Sequence, residues 1–190
     1  RQDEMSRRQQ PALKDILETP VVITYQTGGE GSSCWSLLAR SRPDGHIISS
    51  MILPLLILNP LLRKNVGYDP DSILPLSIYQ SIPIGFAIQP DHPAKSLDGF
   101  INLARQSPRK IKVGVDARYS TQYLALYQFQ KLAGIDLTTM VFAGPAKQMA
   151  GFRSRHVEAI MARSTDLLAH GKELRVLAIG TKERADFFPS

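Results

Sequence analysis

Three short stretches carry residue types that could hold a small anion. The first is Gln26-Thr27-Gly28-Gly29-Glu30-Gly31-Ser32-Ser33. Gly29-x-Gly31 between a strand-like run and a helix is the setting of a dinucleotide fingerprint. Cys34 stands where its third glycine belongs, and Ser49 and Ser50 stand where the acidic ribose ligand would be. The stretch therefore reads as a tight turn that needs positive φ. The second is Asp116-Ala117-Arg118-Tyr119-Ser120-Thr121. Hydroxyls at a helix start can hold an anionic oxygen, and Arg118 would add a charged donor. Simple capping explains Ser120 or Thr121 equally well. The third is Arg163-Ser164-Thr165, just past a strand. There an arginine either grips a carboxylate with both arms of its fork or stays in solvent.

Constellations for covalent chemistry are poor. Cys34 near a helix start is a candidate thiolate. Nothing in the spacing of His46, His92, His156 and His170 selects a base for it or a metal set. No phosphate-loop lysine follows the glycines, no G-x-S-x-G elbow exists, and the carboxylates form no obvious pair. The expectation is a binding protein and not an enzyme, with no cofactor and no metal. Net charge is +6, with its densest cluster at Arg105, Arg109, Lys110 and Lys112. Without interleaved stacking aromatics this predicts no nucleic-acid partner. The most apolar stretch, Ile47 to Leu58, is broken by Pro54 and is shorter than the roughly 20 residues of a membrane span, so no membrane embedding is expected. The start of the chain, Arg1-Gln2-Asp3-Glu4, has no apolar leader. A mature secreted chain after cleavage would look the same.

The elements that must position these stretches alternate along the chain. The pattern predicts helices over 3–18, from Ser32 or Ser33 to about Arg42, after an Asn59 cap with Pro60 at the first helical position, over Leu97–Gln106 behind Ser96, over Ser120–Ala133 ending at Gly134, and from Gly144-Pro145 to about Ser154. A short helix follows over Thr165–His170. It predicts strands at Val21–Tyr25, His46–Ser50, near Leu74–Tyr79 and Ile84–Gln89, then at Ile111–Val115, Thr138–Phe142, Val157–Ala162 and Leu174–Gly180. Such alternation implies an α/β protein with mostly parallel sheets flanked by helices. The composition shift at Gln89-Pro90-Asp91-His92-Pro93 divides it into lobe one, 1–88, and lobe two, 89–190.

A series of motifs, in order, resembles the periplasmic solute-binding proteins of tripartite tricarboxylate transporters, the Bug receptors. Gly28-Gly29-Glu30-Gly31 sits at their Gly-Ala-Gly-Gly loop, and Pro43-Asp44-Gly45-His46 at their Pro-Asp-Gly-Tyr turn. Asn59-Pro60-Leu61-Leu62, Tyr68-Asp69-Pro70, Pro93-Ala94-Lys95-Ser96 and Leu132-Ala133-Gly134-Ile135-Asp136-Leu137 follow in matching positions. The resemblance implies a two-lobed Venus-flytrap fold that closes on a carboxylate in the interlobe cleft. It also implies a periplasmic location, with any signal peptide removed or outside the sequence, and membrane transporter subunits as partners.

The departures fall on the loops that should read the ligand. The family's first strand and Gly-Gly loop should precede Asp3, and members continue past a segment like Ala178–Ser190. The polar loop after the second strand is here Met51-Ile52-Leu53-Pro54, and the hydroxyl-rich loop of lobe two is Asp116–Thr121. The Tyr-Lys-Gly-Gly loop is Phe142-Ala143-Gly144-Pro145, and an expected Asp falls at Ala162, beside Arg163. The expected ligand residues are Arg118, Tyr119, Ser120, Thr121, Arg163 and Ser164, with Met51 and Leu53 as an apolar wall. Two arginines and an apolar wall suit a larger or aromatic carboxylate. The alternative is a divergent ligand-sensing or interaction module without a transport role.

Overall fold

The computed structural model describes residues 2–183 and residue 186. Residue 1, and 184, 185 and 187–190 at the end of the second lobe as read from sequence, lie outside the described residues. The chain divides into two compact units, Arg1–Leu76 and Ser77–Ser190. The sequence places the boundary after residue 88. The division falls earlier because the strand Ile84–Ile88 is an inner member of the second unit's sheet.

Among its described residues the first unit holds three α-helices, α1 (Gln2–Leu17), α2 (Ser32–Arg40) and α3 (Leu55–Leu62). Its core is small. Trp35 lies edge-on to Tyr68 at 5.8 Å and donates Nε1–H to the Ser50 carbonyl. Asn59 is not the expected cap. α3 starts at Leu55 behind Pro54, and Asn59 and Pro60 sit inside it. Proline has no N–H for the carbonyl four residues back, that of Leu56. The Tyr68 hydroxyl donates to that carbonyl instead, at 2.9 Å. The buried Asn59 turns its amide onto the glycine loop, donating to Ser32 Oγ at 2.9 Å and to the Gly29 and Glu30 carbonyls. The expected strands at Val21–Tyr25, His46–Ser50 and Leu74–Tyr79 join no ladder among the described residues. β-branched and aromatic runs favour strands only where a neighbour supplies cross-strand partners, and here none pairs with them.

The second unit is a five-stranded sheet with helices on both faces. Its strands are β1 (Ile84–Ile88), β2 (Lys112–Val115), β3 (Thr138–Val141), β4 (Ala159–Arg163) and β5 (Arg175–Ile179), in the spatial order β3-β2-β4-β1-β5. β2 pairs in parallel with β3 and β4, while β1 is antiparallel to both β4 and β5. Four strands thus share one direction and β1 runs against them. The helices α4 (Leu97–Gln106), α5 (Thr121–Ala133), α6 (Pro145–Arg153) and α7 (Ser164–Ala169) connect them. Side chains alternate along each strand, and the two buried clusters follow that alternation. Phe86, Ile88, Ala159 and Met161 join Phe100 of α4 and Leu126 of α5. Ala87, Ile160 and Ala162 join Met149 and Phe152 of α6 and Leu167 of α7. Ser96 caps α4 through Gly99 N–H, and Gly134 ends α5 in the left-handed conformation at φ 62°.

Candidate functional site

Because β2, β3 and β4 run the same way, the loops that follow them emerge at one edge of the sheet. Each loop leads into a helix, so three helix N-termini face that edge. Such an edge is the general ligand position of parallel α/β sheets, and helix starts offer it unpaired N–H groups.

The loop after β2 is the most structured. Ser120 caps α5: its Oγ accepts from Tyr123 N–H at 3.2 Å and donates to the Ala117 carbonyl at 3.0 Å. Its hydroxyl is therefore engaged in shaping the turn. Tyr119 takes a left-handed backbone, φ 61°, which turns the chain onto the helix. The exposed Arg118 guanidinium lies 5.9 Å from the Tyr119 ring centroid, and Tyr119 meets Tyr123 edge-on at 5.7 Å. Cation and aromatic faces together suit a ligand with an anionic end and an apolar body. Thr121 is the exposed first residue of α5.

Asp116, at the end of β2, is 9% exposed. Its Oδ2 accepts from Gln122 Nε2 at 2.8 Å, while its Oδ1 is buried with no hydrogen-bond partner. Its backbone carbonyl accepts from Gly144 N–H at 2.8 Å and ties the loops after β2 and β3 together.

After β4 the side chains are already committed. Arg163 Nε donates to Asp166 Oδ2 at 2.8 Å, and both side chains are largely buried. The cation expected to grip a ligand carboxylate is thus already neutralised within its own chain. Asp166, missed in the sequence reading, had a local signal: it stands three residues after Arg163, in the first turn of a helix, where such pairs meet. Ser164 is buried, and its N–H donates to the Pro83 carbonyl at 2.8 Å. Beside this loop Pro145, Gln148, Arg153, Ala162, Asp166 and His170 border a cleft of about 310 Å³, within the size range of small-molecule sites. Gln148 has no sequence signal beyond being a polar residue on a helix. Its Nε2 donates to the carbonyls of Gly114 and Met161, each at 2.9 Å, and so clamps β2 to β4. Met51 and Leu53 belong to the first unit, ahead of α3, the first half-buried and the second exposed.

Cys34 contacts Ser49 Oγ at 3.3 Å, and no described histidine is hydrogen-bonded to it. No cluster of three or more metal-ligating side chains occurs among the described residues. No helix among them is long and apolar enough to cross a membrane.

Comparison with known proteins agrees with this architecture. A UPF0065 protein of Cupriavidus necator is 24% identical over 181 residues, covering 92% of this chain and 54% of that relative. The chain thus spans about half the length of that relative. A TctC solute-binding protein from Polaromonas superposes with a TM-score of 0.78 at 20% identity, over 98% of this chain and 64% of that one. R. palustris Rpa4515, solved with adipate, superposes with a TM-score of 0.68 at 24% identity, over 96% of this chain and 62% of that one. The model of the tripartite tricarboxylate transporter family receptors matches residues 5–190. With that match along nearly its whole length, and a fold shared with TctC proteins, the chain belongs to the tripartite tricarboxylate transporter receptor family.

Proposed function

We propose that this chain serves as an extracytoplasmic, periplasmic receptor that binds a small carboxylate without transforming it and delivers it to the membrane subunits of a tripartite tricarboxylate-type transporter. The observation that carries the reading is the family match over residues 5–190. The three helix starts at one sheet edge supply the chemistry such a ligand needs. The adipate in the R. palustris relative supports the carboxylate class. Arg118, Tyr119, Ser120 and Thr121 form the binding turn at the end of β2, with Arg163 and Ser164 at the end of the parallel strand β4. The Arg118–Tyr119–Tyr123 cluster favours a partly apolar or aromatic carboxylate.

Titration calorimetry against adipate and a panel of aromatic monocarboxylates tests this. Heat and a thermal shift with at least one of them, both weakened in Arg118→Ala, are expected. Silence across the panel refutes it. A second reading has its own support: two carboxylates, Asp116 and Asp166, stand at the edge where an anion should sit. It makes the chain a sensing or interaction module of the same fold without a transport role, and the silent panel is its expected result.

A further inference from the structure

The glycine loop that reads as a plain turn in the sequence borders a second, basic cleft, wholly within the first unit. The cleft has a volume of about 450 Å³ and runs along one face of α2. Ser32, Ser33, Ser36 and Arg40 form one wall, and Arg63 and Lys64 stand opposite. Ser32, Ser36 and Arg40 are four residues apart and Ser33 lies three before Ser36, which puts these side chains on one face of α2. Among the described residues, no acidic one lines the cleft.

Three details separate it from a solvated groove. The first is Ser36. It is 6% exposed and lines the cleft, yet its hydroxyl has no hydrogen-bond partner among the described residues. Gly67 makes room for it: a Cβ there would lie 2.4 Å from Ser36 Oγ. That hydroxyl opens into the cleft, where a ligand oxygen can accept from it. The second is the start of α2. Its cap is Gly31, which offers no side-chain acceptor to the first-turn N–H groups. Asn59 nevertheless holds the loop fixed through Ser32 and two carbonyls, so the helix start is presented in one geometry. The third is the state of the cations. Arg63 is balanced by Glu30, and Arg40 Nε is anchored on the Ser36 carbonyl, leaving its two terminal nitrogens for other acceptors. Lys64 is exposed and has no ion-pair or hydrogen-bond partner among the described residues.

We infer that the first unit binds a phosphate-type oxyanion in this cleft, held by Ser36, Arg40, Lys64 and the start of α2. Hydroxyl, guanidinium, ammonium and backbone N–H are the donor set that a dianion with several acceptor oxygens requires. Free phosphate and a phosphate monoester share this chemistry, and the volume leaves room for the organic part of an ester. The site is independent of the carboxylate reading, whose residues lie mainly in the second unit.

The test is calorimetry and phosphorus-31 NMR line broadening with inorganic phosphate and with glycerol 3-phosphate, each in the absence and presence of excess adipate. Binding of either probe is expected, unchanged by adipate. It should weaken about tenfold or more in Lys64→Ala and in Ser36→Ala, as loss of a charge-assisted hydrogen bond predicts. Arg118→Ala should leave it unchanged. Lys64 is exposed, so its replacement reads the site without disturbing the fold. Binding of both probes points to the phosphate group alone, and binding of the ester only points to an organic phosphate. The inference is overturned if neither probe binds, if adipate displaces them, or if binding survives Lys64→Ala and Ser36→Ala intact.

Discussion

Replacing Gln148 with leucine tests the construction of the carboxyl edge most directly. The β2–β4 ladder ends at Gly114 opposite Ile160, although both strands continue. From α6 the Gln148 side chain supplies the next donor, with Nε2 2.9 Å from the carbonyls of both Gly114 and Met161. Leucine has similar bulk and no donor. Gln148→Leu would remove both of these hydrogen bonds, each worth about 0.5–1.5 kcal/mol net. Leucine restores neither, so a net loss of about 1–3 kcal/mol is expected. Urea unfolding followed by far-UV circular dichroism measures it. Trp35, the one tryptophan, lies in the first unit and serves as a separate fluorescence reporter there. A loss below about 0.5 kcal/mol, the range of inert surface substitutions, would refute the clamp. So would an unchanged hydrogen-exchange pattern at the ends of β2 and β4.

Two further outcomes follow from local chemistry. Ser120→Ala removes the α5 cap at Tyr123 N–H and should cost about 1 kcal/mol in urea unfolding, with Ser120→Asp retaining most of the stability. His92 is buried, and its Nδ1 accepts from Ala94 N–H at 3.1 Å, so it folds neutral. Burial pushes its pKa below the ordinary value near 6.5, against the pull of Glu158 and Asp91 and with the help of Lys95 and Arg175. The unfolded chain therefore takes up this proton first on acidification. Stability should fall as pH drops below about 6.5 and level off below the folded pKa, and His92→Gln should flatten that part of the profile.

The second unit was largely legible because its signals are local. Ser96, Ser120 and Gly134 mark helix ends by their own chemistry, and the apolar runs between them became β1 to β5 with small shifts at their ends. The reversed direction of β1 was not legible, since a buried run of five residues looks the same in either sense. The first unit was less legible. Asn59-Pro60 has the composition of a helix start, yet Tyr68 and the glycine loop supply long-range partners that let both residues sit inside α3. At the site the residue types were informative and their commitments were not. Arg118 is exposed beside Tyr119, whereas the Ser120 hydroxyl is engaged in the helix cap and Arg163 in its pair with Asp166.

The unpaired runs of the first unit bear on how this chain behaves in concentrated solution. Val22 and Tyr25, then Ile47 and Ile48, then Leu74 and Leu76 expose apolar side chains from segments that join no ladder among the described residues. Such segments are templates for strand addition, since their backbone groups and apolar faces are both satisfied by another extended chain. The +6 charge opposes close approach at low ionic strength. Salt screens that repulsion and leaves the apolar attraction intact. Colloidal stability should therefore fall as ionic strength rises, with self-association beginning in the helix-poor stretches of the first unit.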